Sequence, residues 1–396
     1  MLSVDEAREV VRAAVRPVRE TEQLALGDAL GRVLAGPVLA ERDDPPFDRA
    51  TMDGFAVRAA DLTSLPRRLE VSGEVAAGDA QLPHCDPGCA LRINTGAPLP
   101  PGADTVVPVE LTREEVEILE PVAQGGNIVP RGGFVRRGDE VASGRLTPER
   151  LAVCAAAGAD RVAVLRRPRV AVLGTGSELT TGLSEPGDHE IRNSNGPMLL
   201  ALCSGAETRD LGAVADDPEQ LLAAVRRGLE ADVLITTGGV SKGVRDYVPD
   251  TFAACGVRES FHRIALQPGK PVWFGEHVGG VVFGLPGNPV SALVCADLFV
   301  MPYLLACAGG EWEHALLERR ARITRPIQAS PKRRRVFPCL LKDDEVTPIP
   351  WRGSGDLWSA TAGNAYLVIP RDHALAAGDE TVCLVPERHA ASTWSA

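Results

Sequence analysis

The sequence has few aromatic residues and fewer basic than acidic residues, and each of these features narrows the range of functions. Phe, Trp and Tyr make up 4% of the 396 residues, which disfavours the aromatic stacking platforms that bind single-stranded nucleic acids. The net charge of −11 repels a phosphate backbone, so general nucleic-acid binding is disfavoured as well. Any phosphate group must therefore bind at a local site.

A disulfide framework and long apolar runs are also lacking. The nine cysteines are scattered without a repeating spacing, which suits a reducing compartment better than a secreted protein. His84, Cys85 and Cys89 form one local cluster of metal-ligand types, for which a surface loop is the preferred interpretation over a zinc site. No apolar run approaches the roughly 18 residues of a membrane span, and the N-terminus predicts a helix capped by Ser3 rather than a signal peptide. We therefore expect a soluble, cytoplasmic protein.

Changes in the hydrophobic pattern predict four domains. The segment Asp43-Asp44-Pro45-Pro46 interrupts any helix, because consecutive prolines cannot continue one. A short helix is expected after Thr147, with Pro148 in its first turn, and we expect it to pack against the N-terminal helix. The predicted boundaries are 1–44 with 138–166 for a discontinuous N-terminal domain, 45–137 for an inserted β-rich domain, 167–312 for an α/β domain and 313–396 for a C-terminal β-barrel-like domain.

The α/β domain carries the residues best suited to bind a ligand. Arg169–Leu173, Val233–Thr236 and Val281–Phe283 are apolar, β-branched runs followed by glycines, which indicates a parallel sheet with helices on its faces. Ligands of such sheets bind beyond the carboxyl ends of the strands. We therefore expect the three glycine clusters to meet at one edge.

The first cluster, residues 174–179, contains small residues and one carboxylate. Gly176 permits close approach of the backbone, and Ser177 is expected to bind a phosphate or to cap a following helix. Leu179 stands where a dinucleotide-binding fingerprint has its third glycine, so such a cofactor is poorly supported. Glu178 is better placed to hold a cation or a hydroxyl group.

The second cluster follows the next strand and combines hydroxyls, backbone N–H groups and an ammonium, which suits a phosphate. Its candidate binding residues are Thr237, Gly238, Gly239, Ser241 and Lys242. The glycine spacing of a Walker A loop is missing. Asp246 lies unfavourably close to a phosphate unless a cation intervenes, so it is a candidate Mg²⁺ ligand, with helix or turn capping as a near-equal alternative.

The third cluster is a stiff loop between a strand and an apolar helix. Its candidate residues are Pro286, Gly287, Asn288 and Pro289, of which Asn288 is expected to cap the helix and Pro289 to occupy its first turn. Lysine occurs only at positions 242, 270, 332 and 342. Lys270, in the rigid segment 267–271, is therefore a further candidate for an anion, although a turn before a strand explains the segment equally.

Two more helix starts lie nearby. Asp217 precedes Pro218, and helix capping is the preferred interpretation over a catalytic role. Residues 193–197 also predict a helix start, whose amides can face the same crevice.

Together with three N-terminal motifs, these loops resemble the molybdopterin molybdenumtransferases, the family that includes the C-terminal domain of gephyrin. The motifs are Pro45-Pro46-Phe47-Asp48-Arg49, Thr51-Met52-Asp53-Gly54-Phe55-Ala56-Val57-Arg58 and Arg92-Ile93-Asn94-Thr95-Gly96-Ala97-Pro98. The similarity covers essentially the whole chain in the family's order. It implies four domains, an elongated homodimer and a molybdopterin-binding domain related to the cofactor adenylyltransferases.

The resemblance also implies the reaction and the partners. Adenylated molybdopterin and molybdate are the substrates, the metal enters the dithiolene, AMP is released, and Mg²⁺ assists. The partners implied are a molybdopterin adenylyltransferase and the proteins that mature molybdoenzymes. Residue by residue, the family's catalytic positions fall on Asp53 and Thr95, which would reach the partner subunit's crevice, and on Glu178, Asp217 or its neighbour Asp216, and Asp246. Glu178 and Asp246 would hold the metal, and Pro286, Pro289 and Ser354 would bind substrate.

One departure and two alternatives accompany this resemblance. Gln267 stands where some members have lysine, and Lys242 is expected to compensate. A molybdopterin adenylyltransferase would share the phosphate-binding loops, but the additional N-terminal and C-terminal domains argue against it. A non-catalytic molybdopterin-binding scaffold is the other alternative, which the retained Asp53, Glu178 and Asp246 oppose.

Overall fold

The protein is described from a computed structural model, which defines residues 1–114, 116–180, 185–240, 247–328, 330 and 333–390. The chain forms two compact units. The first, called the sheet unit, contains Met1–Glu22 and Leu165–Ala396, and the second, called the β unit, contains Gln23–Val164. The finer division into four domains stays a prediction.

Regular elements follow one another along the described residues. The α-helices are α1 (Val4–Ala13), α2 (Pro148–Ala156), α3 (Asn195–Leu202), α4 (Pro218–Gly228), α5 (Val248–Ala254), α6 (Pro289–Cys295), α7 (Met301–Cys307), α8 (Leu357–Ala360) and α9 (Glu387–Ala390). The strands up to residue 165 are β1 (Thr21–Ala25), β2 (Val38–Leu39), β3 (Arg49–Ala50), β4 (Gly54–Val57), β5 (Arg67–Arg68), β6 (Glu70–Val75), β7 (Cys89–Ile93), β8 (Thr105–Pro108), β9 (Thr112–Arg113), β10 (Glu117–Ile118), β11 (Ile128–Val129), β12 (Glu140–Ala142) and β13 (Arg161–Leu165). The later strands are β14 (Arg169–Thr175), β15 (Leu179–Thr180), β16 (Ile191–Arg192), β17 (Glu207–Val214), β18 (Val233–Thr237), β19 (Arg258–His262), β20 (Leu266–Gln267), β21 (Trp273–His277), β22 (Gly280–Leu285), β23 (Leu316–Ile323), β24 (Arg334–Lys342), β25 (Glu345–Pro348), β26 (Ala365–Ile369) and β27 (Glu380–Pro386).

The sheet unit is built on a six-stranded sheet with the order β17-β14-β18-β22-β21-β19. Its first four strands are parallel, and β21 and β19 are antiparallel to their neighbours. Along β14, Val170 and Val172 face one apolar core, whereas Ala171 and Leu173 face another. The sheet is therefore covered on both faces, which the near-continuous apolar runs require. The predicted parallel α/β sheet is confirmed.

Helix α1 has the predicted capping box, in which Ser3 and Glu6 exchange side-chain hydrogen bonds with each other's main-chain N–H. Its buried residues are Val4, Ala7 and Val11. They belong to the same core as β14, β18 and β22, whereas Cys154 of α2 belongs to a separate core of the β unit. Because the two helices belong to different units, their packing against each other stays a prediction. An amphipathic pattern shows that a helix is buried, but not which core buries it.

A long apolar helix follows β22. It spans Pro289–Cys307 through α6, a π-helical turn at Ala296–Val300, and α7. The helix has 19 residues, and an 18-residue stretch of it has a mean hydropathy of 2.0, enough to cross a membrane by length and composition alone, but 78% of that stretch is buried inside the protein. The prediction that no apolar run approaches the length of a membrane span is therefore wrong. Asp297 and Pro302 lie within this stretch, but the helix continues through both. This extent of burial is typical of a helix in the core of a protein.

The C-terminal part of the sheet unit is a closed β-barrel. Strand β24 pairs with β25 and β26, β25 pairs with β23, and β23 and β26 both pair with β27. Its interior is apolar and contains, among others, Ile323, Phe337, Cys339, Leu367 and Cys383. The predicted β-barrel-like domain is confirmed.

The β unit contains several small sheets around three apolar cores. A four-stranded sheet has the order β6-β7-β4-β8, and a three-stranded sheet has the order β5-β10-β9. The apolar-polar segment Arg67–Val75 forms two strands, β5 and β6, which are separated at Leu69 and join different sheets. Helix α2 begins as predicted, since the side chain of Thr147 accepts a hydrogen bond from the N–H of Arg150.

Candidate functional site

The three predicted glycine clusters begin at one edge of the parallel sheet. Strand register places Gly174 of β14 beside Thr237 of β18, and Thr237 beside Leu285 of β22. Because parallel strands share their direction, the loops that follow all leave the sheet at its carboxyl edge. The prediction that the clusters converge is confirmed.

Buried hydrogen bonds tie these loops together. Asn195 Nδ2 donates to Thr237 Oγ1 and to the carbonyl oxygen of Gly287, both at 2.7 Å. Thr237 Oγ1 donates to the carbonyl oxygen of Pro286 at 3.2 Å, and Thr175 Oγ1 donates to the carbonyl oxygen of Thr237 at 3.3 Å. One network therefore spans the ends of β14, β18 and β22 and the start of α3.

The glycines of the second cluster are required by backbone conformation and close approach, whereas Gly287 of the third cluster lies in ordinary van der Waals contact with them. Gly238 and Gly239 have φ of +95° and +62°, a region that side-chain-bearing residues rarely adopt. A Cβ atom on Gly238 would lie 2.3 Å from the carbonyl oxygen of Thr175, and one on Gly287 would lie 3.6 Å from Gly238 Cα. Among the described residues, none accepts a hydrogen bond from the N–H of Gly239 or Gly287. Two backbone N–H groups, close to the point where the second and third loops meet, are thus available to a ligand.

Glu178 lies beside the first loop. A Cβ atom on Gly176 would come within 2.7 Å of Glu178 Oε2, so the carboxylate packs over the glycine. Ser177 is followed by a turn and strand β15 rather than by a helix, and its Oγ accepts a hydrogen bond from the N–H of Asp216 at 3.0 Å. The prediction that Ser177 caps a helix is therefore wrong.

The two neighbouring aspartates have different surroundings. Asp217 Oδ1 accepts hydrogen bonds from the N–H groups of Glu219 at 3.1 Å and Gln220 at 2.9 Å, so it caps α4 as predicted. Asp216 is held beside the first loop through its main-chain bond to Ser177. The carboxylate of Asp217 is thus engaged in capping, and the choice between Asp216 and Asp217 as a functional residue stays a prediction.

Ser354 of the barrel domain reaches the third loop. Its Oγ accepts a 2.8 Å hydrogen bond from Asn288 Nδ2, and its carbonyl oxygen accepts one of 3.0 Å from the N–H of Val290. Asn288 occupies the predicted N-cap position of α6, but its side chain makes no capping bond. The predicted cap is therefore wrong in this respect, because the amide bonds to Ser354 instead.

Lys270 lies at the same edge of the sheet by its backbone. Strand β21 is antiparallel to β22, with Trp273 beside Gly284, so the residues just before β21 lie near the carboxyl end of β22. Lys270 is half-buried there, and its carbonyl oxygen accepts a hydrogen bond from the N–H of Ile264. A positive charge carried by this edge of the sheet is therefore available to an anion.

Asp53 and Thr95 form a pair in the β unit. Both residues are exposed, and the N–H of Thr95 donates a 2.6 Å hydrogen bond to Asp53 Oδ1. This bond, with one from the Thr95 side chain, lowers the pKa of Asp53 below its ordinary value. A hydrogen bond therefore joins Asp53 and Thr95, two candidate site residues that were predicted from separate sequence motifs.

Three predicted site residues, Ser241, Lys242 and Asp246, lie outside the described residues. Within the described ranges, no group of three or more His, Cys, Asp or Glu side chains is placed to hold a metal ion. A complete ligand set for Mg²⁺ therefore needs oxygen atoms beyond those of Glu178 and Asp216.

Asn195 is the main residue of the site that the sequence analysis misses. It is 7% exposed, and its Oδ1 has no hydrogen-bond partner in the part of the chain that the structure describes. The segment 193–197 predicts the helix start correctly. The only signal for a tertiary role was a second polar residue inside that helix start, where capping needs only one.

A cavity of about 290 Å³ lies elsewhere in the sheet unit. Its lining includes Arg166, Asp232 and Gly280, which precede or begin β14, β18 and β22 at the amino edge of the sheet. It contains none of the predicted site residues. The glycine loops and their hydrogen bonds, rather than this cavity, define the candidate site.

Comparison with protein families agrees with this geometry. The model of the MoeA N-terminal region (domain I and II) matches residues 2–158, that of the "Probable molybdopterin binding domain" matches residues 171–306, and that of the MoeA C-terminal region (domain IV) matches residues 320–385. The chain is 34% identical over 373 residues to the molybdopterin molybdenumtransferase of Bacillus subtilis, which covers 89% of this chain and 86% of that protein. The chain belongs to the molybdopterin molybdenumtransferase family.

Other members of the family are similar over nearly the full length. The molybdopterin molybdenumtransferase 2 of Mycobacterium tuberculosis is 35% identical over 396 residues, which cover 94% of this chain and 96% of that protein. A crystal structure of a molybdopterin biosynthesis MoeA protein from Pyrococcus horikoshii OT3 superposes with a TM-score of 0.83 at 30% identity, covering 97% of this chain and 100% of that one. The glycine-loop network therefore belongs to the part of a molybdopterin molybdenumtransferase that the molybdopterin-binding model matches.

Proposed function

We propose that this chain is a molybdopterin molybdenumtransferase with adenylated molybdopterin and molybdate as substrates. Molybdenum enters the dithiolene, and AMP leaves as the second product. The observation that carries the proposal is the hydrogen-bond network in which Asn195, Thr237 and Gly287 lock three loops together at one sheet edge. The free thiols of all nine cysteines fit a reducing compartment such as the cytoplasm.

The described loops supply groups that bind and orient a pyrophosphate. The N–H groups of Gly239 and Gly287 donate to phosphate oxygen atoms, and Lys270, with Lys242 outside the described residues, balances their charge. Ser354 places a hydroxyl group next to the side chain of Asn288 in the third glycine loop. Because these donors are fixed before the substrate arrives, little reorganisation is needed on binding.

We further propose that Mg²⁺ binds at this edge. The described carboxylates fit a hard cation, because Glu178 lies over Gly176 and the main chain of Asp216 is held beside Ser177. Asp246, the other predicted ligand, lies outside the described residues. Carboxylate oxygens are the ligands that Mg²⁺ prefers, and the ion usually retains several waters. When bound, the ion would neutralise phosphate charge. The protein's own contribution is to hold these carboxylates at a fixed distance from the loop glycines.

The proposal also includes a homodimer in which Asp53 and Thr95 of one subunit complete the site of the other. Their mutual hydrogen bond fixes an ionised carboxylate on the surface of the β unit. Upstream, a molybdopterin adenylyltransferase would supply the substrate. Downstream, the product would pass to proteins that mature molybdoenzymes.

The test is AMP release by the purified full-length chain from adenylated molybdopterin. We expect release only when molybdate and Mg²⁺ are both present, together with formation of a cofactor that activates a cofactor-free molybdoenzyme. A Glu178→Gln variant should need more Mg²⁺ for half-maximal rate, whereas Glu185→Gln, a change of an exposed carboxylate in the same loop region, should not. Adenylation of molybdopterin by ATP without molybdate would contradict the proposal and favour an adenylyltransferase. Binding of the pterin with no turnover would favour a scaffold.

A further inference from the structure

Asp297 is a buried charge in the middle of the apolar helix Pro289–Cys307. It lies in the π-helical turn and is 1% exposed. Its neighbours Ala296, Leu298 and Phe299 belong to the main core of the sheet unit. A carboxylate in such surroundings is unfavourable unless it is fully paired. Turns of π-helix are rare and occur frequently at functional sites.

The partners of Asp297 come from the C-terminal barrel and the helix that follows it. Arg388 of α9 donates to both carboxylate oxygens, at 2.5 and 2.8 Å. The hydroxyl of Tyr366 on β26 donates to Oδ2 at 2.5 Å, and Tyr366 is 3% exposed. The carboxylate is thus satisfied by groups that lie more than 60 residues away along the chain.

The same helix contacts the barrel domain at a second point, which is in the candidate site. Ser354 bonds to the side chain of Asn288 and to the main-chain N–H of Val290. At about 1.5 Å per residue, Val290 and Asp297 are on the order of 10 Å apart along the helix. One contact therefore belongs to the site, and the other lies about two turns further along.

These two contacts are directional, unlike the apolar packing around them; elsewhere the barrel is joined to the rest of the sheet unit by the pairing of β20 with β24 and by the ion pair of Arg334 with Asp5. Apolar burial is not directional, so it leaves a barrel free to rotate or slide slightly on a helix. A bidentate arginine–carboxylate pair has a fixed geometry and determines orientation. The Asp297 contacts are therefore suited to set the angle at which the barrel meets the helix, and with it the place of Ser354.

We propose that Asp297, held by Arg388 and Tyr366, is a positioning residue that orients the C-terminal barrel and keeps Ser354 on Asn288. It acts through Ser354 and is not itself in contact with the loops that bind substrate. The structural part of this proposal is independent of the reaction, and only its kinetic consequence rests on the proposed function.

The amide of Val290 provides a direct measurement. The first N–H groups of a helix have no partner within the helix, so the protection of this amide comes from its bond to the carbonyl oxygen of Ser354. Hydrogen exchange followed by mass spectrometry or NMR reports that bond without any substrate. Amides of β22 in the same unit serve as an internal reference.

Three variants separate orientation from stability. Asp297→Asn removes the charge, and Tyr366→Phe removes one bond with little change of shape. The double change Asp297→Leu with Arg388→Met replaces the pair by apolar side chains, which often preserves stability but not orientation. Glu380→Gln is the matched control, because it removes the exposed ion pair with Arg320 on the same barrel.

We expect Val290 to exchange about tenfold faster in Asp297→Asn and in the folded double variant, and less so in Tyr366→Phe, while β22 amides keep their rates. Unchanged Val290 exchange in the folded double variant would overturn the proposal. If Asp297→Asn does not fold, the Val290 exchange rates of the double variant and of Tyr366→Phe decide whether the proposal holds. In the reaction, loss of orientation should raise KM for adenylated molybdopterin more than it lowers kcat, which mere destabilisation would not do. Faster exchange with unaltered KM would leave the positioning of Ser354 intact as a finding and count against the proposed role of Ser354 in the site.

Discussion

The main-chain N–H of Thr95 donates a 2.6 Å hydrogen bond to Oδ1 of Asp53. The two residues lie 42 positions apart, in loops next to β4 and β7, and both side chains are exposed. A short, charge-assisted bond on the surface of the β unit fixes the carboxylate in one direction. That arrangement is suited to a group that must meet a second molecule.

If Asp53 serves the partner subunit's site, two inactive variants should complement each other. Dimers formed from co-expressed Asp53→Ala and Glu178→Ala chains would include a mixed dimer with one intact site, so we expect about a quarter of the wild-type activity. Each variant alone should be inactive. Mixing Asp53→Ala with Thr95→Ala should give no recovery, because every site would then carry one of the two changes. Absence of recovery in the first mixture would argue that each subunit builds its own site.

Asn195 should be important for stability as well as for activity. Replacing it by Ala leaves Thr237 Oγ1 and the carbonyl oxygen of Gly287 without their buried donor, which should lower the free energy of unfolding by about 2 kcal/mol. Urea titration measures this change. Ser194→Ala is the control, because Ser194 is exposed and makes no capping bond, and it should stay within about 0.5 kcal/mol of wild type.

Replacement of Asn195 by Asp tests the direction of the same bonds. An aspartate has nearly the same shape, but it would place an acceptor oxygen against the carbonyl of Gly287, so this variant should be less stable than Asn195→Ala. A more stable Asp variant would show that the amide is not a donor to both partners.

Asp356, in the turn that contains Ser354, should remain ionised in mild acid. Hydrogen bonds from the Ser359 hydroxyl and from the main-chain N–H groups of Arg352 and Ser359 lower the pKa of Asp356 to about 2. A lowered pKa in the folded state means that the contribution of Asp356 to stability is complete above its ordinary pKa of 3.8 and is lost as the pH falls towards about 2. Carboxyl ¹³C NMR, with Asp356→Asn for assignment, should show an ionised group at about pH 3.5. A midpoint near the ordinary value would contradict the hydrogen bonds.

Thiol reagents should distinguish two cysteines from the other seven. Cys89 and Cys255 are partly exposed, whereas the rest are buried. Burial also raises the pKa of Cys85 to about 11 and that of Cys203 to about 12, which suppresses the reactive thiolate. We expect fast labelling at Cys89 and Cys255 in the native protein and at all nine positions after denaturation. Mass spectrometry of labelled peptides gives the assignment, and rapid native labelling of Cys203 would contradict the described packing.

The sequence predicts the convergence of the glycine loops because that convergence follows from local rules. Apolar strands followed by glycines form parallel sheets, and the loops after parallel strands leave at one edge. The caps at Ser3, Thr147 and Asp217 follow in the same way, since a side chain and an N–H three residues away suffice to define them. Each strand, each glycine cluster and each cap is defined by residues that are close in sequence.

Features that depend on distant residues are not predicted. Asn288 has the residue type and position of a helix cap, yet its amide bonds to Ser354, 66 residues away. Asn195 connects to Thr237 and Gly287 only because the sheet brings them together. In such cases the residue type fits a local pattern such as a helix cap, but the side chain forms its hydrogen bonds with residues distant in sequence. Only the folded structure shows which of the two roles the side chain has.

The placement of α1 has a consequence for synthesis on the ribosome. Its buried residues share a core with strands that end at Leu285, whereas the three cores of the β unit contain no residue outside Gln23–Val164. Helix α1 contacts the π-helical turn Ala296–Val300, and about 285 residues separate Val11 from Ala296, so at roughly 5–20 residues per second the helix waits on the order of 15–60 s for this turn to emerge. The nascent chain therefore carries a helix whose apolar face is uncovered while all residues of the β-unit cores have already been synthesised, and this face is what a ribosome-associated chaperone would shield.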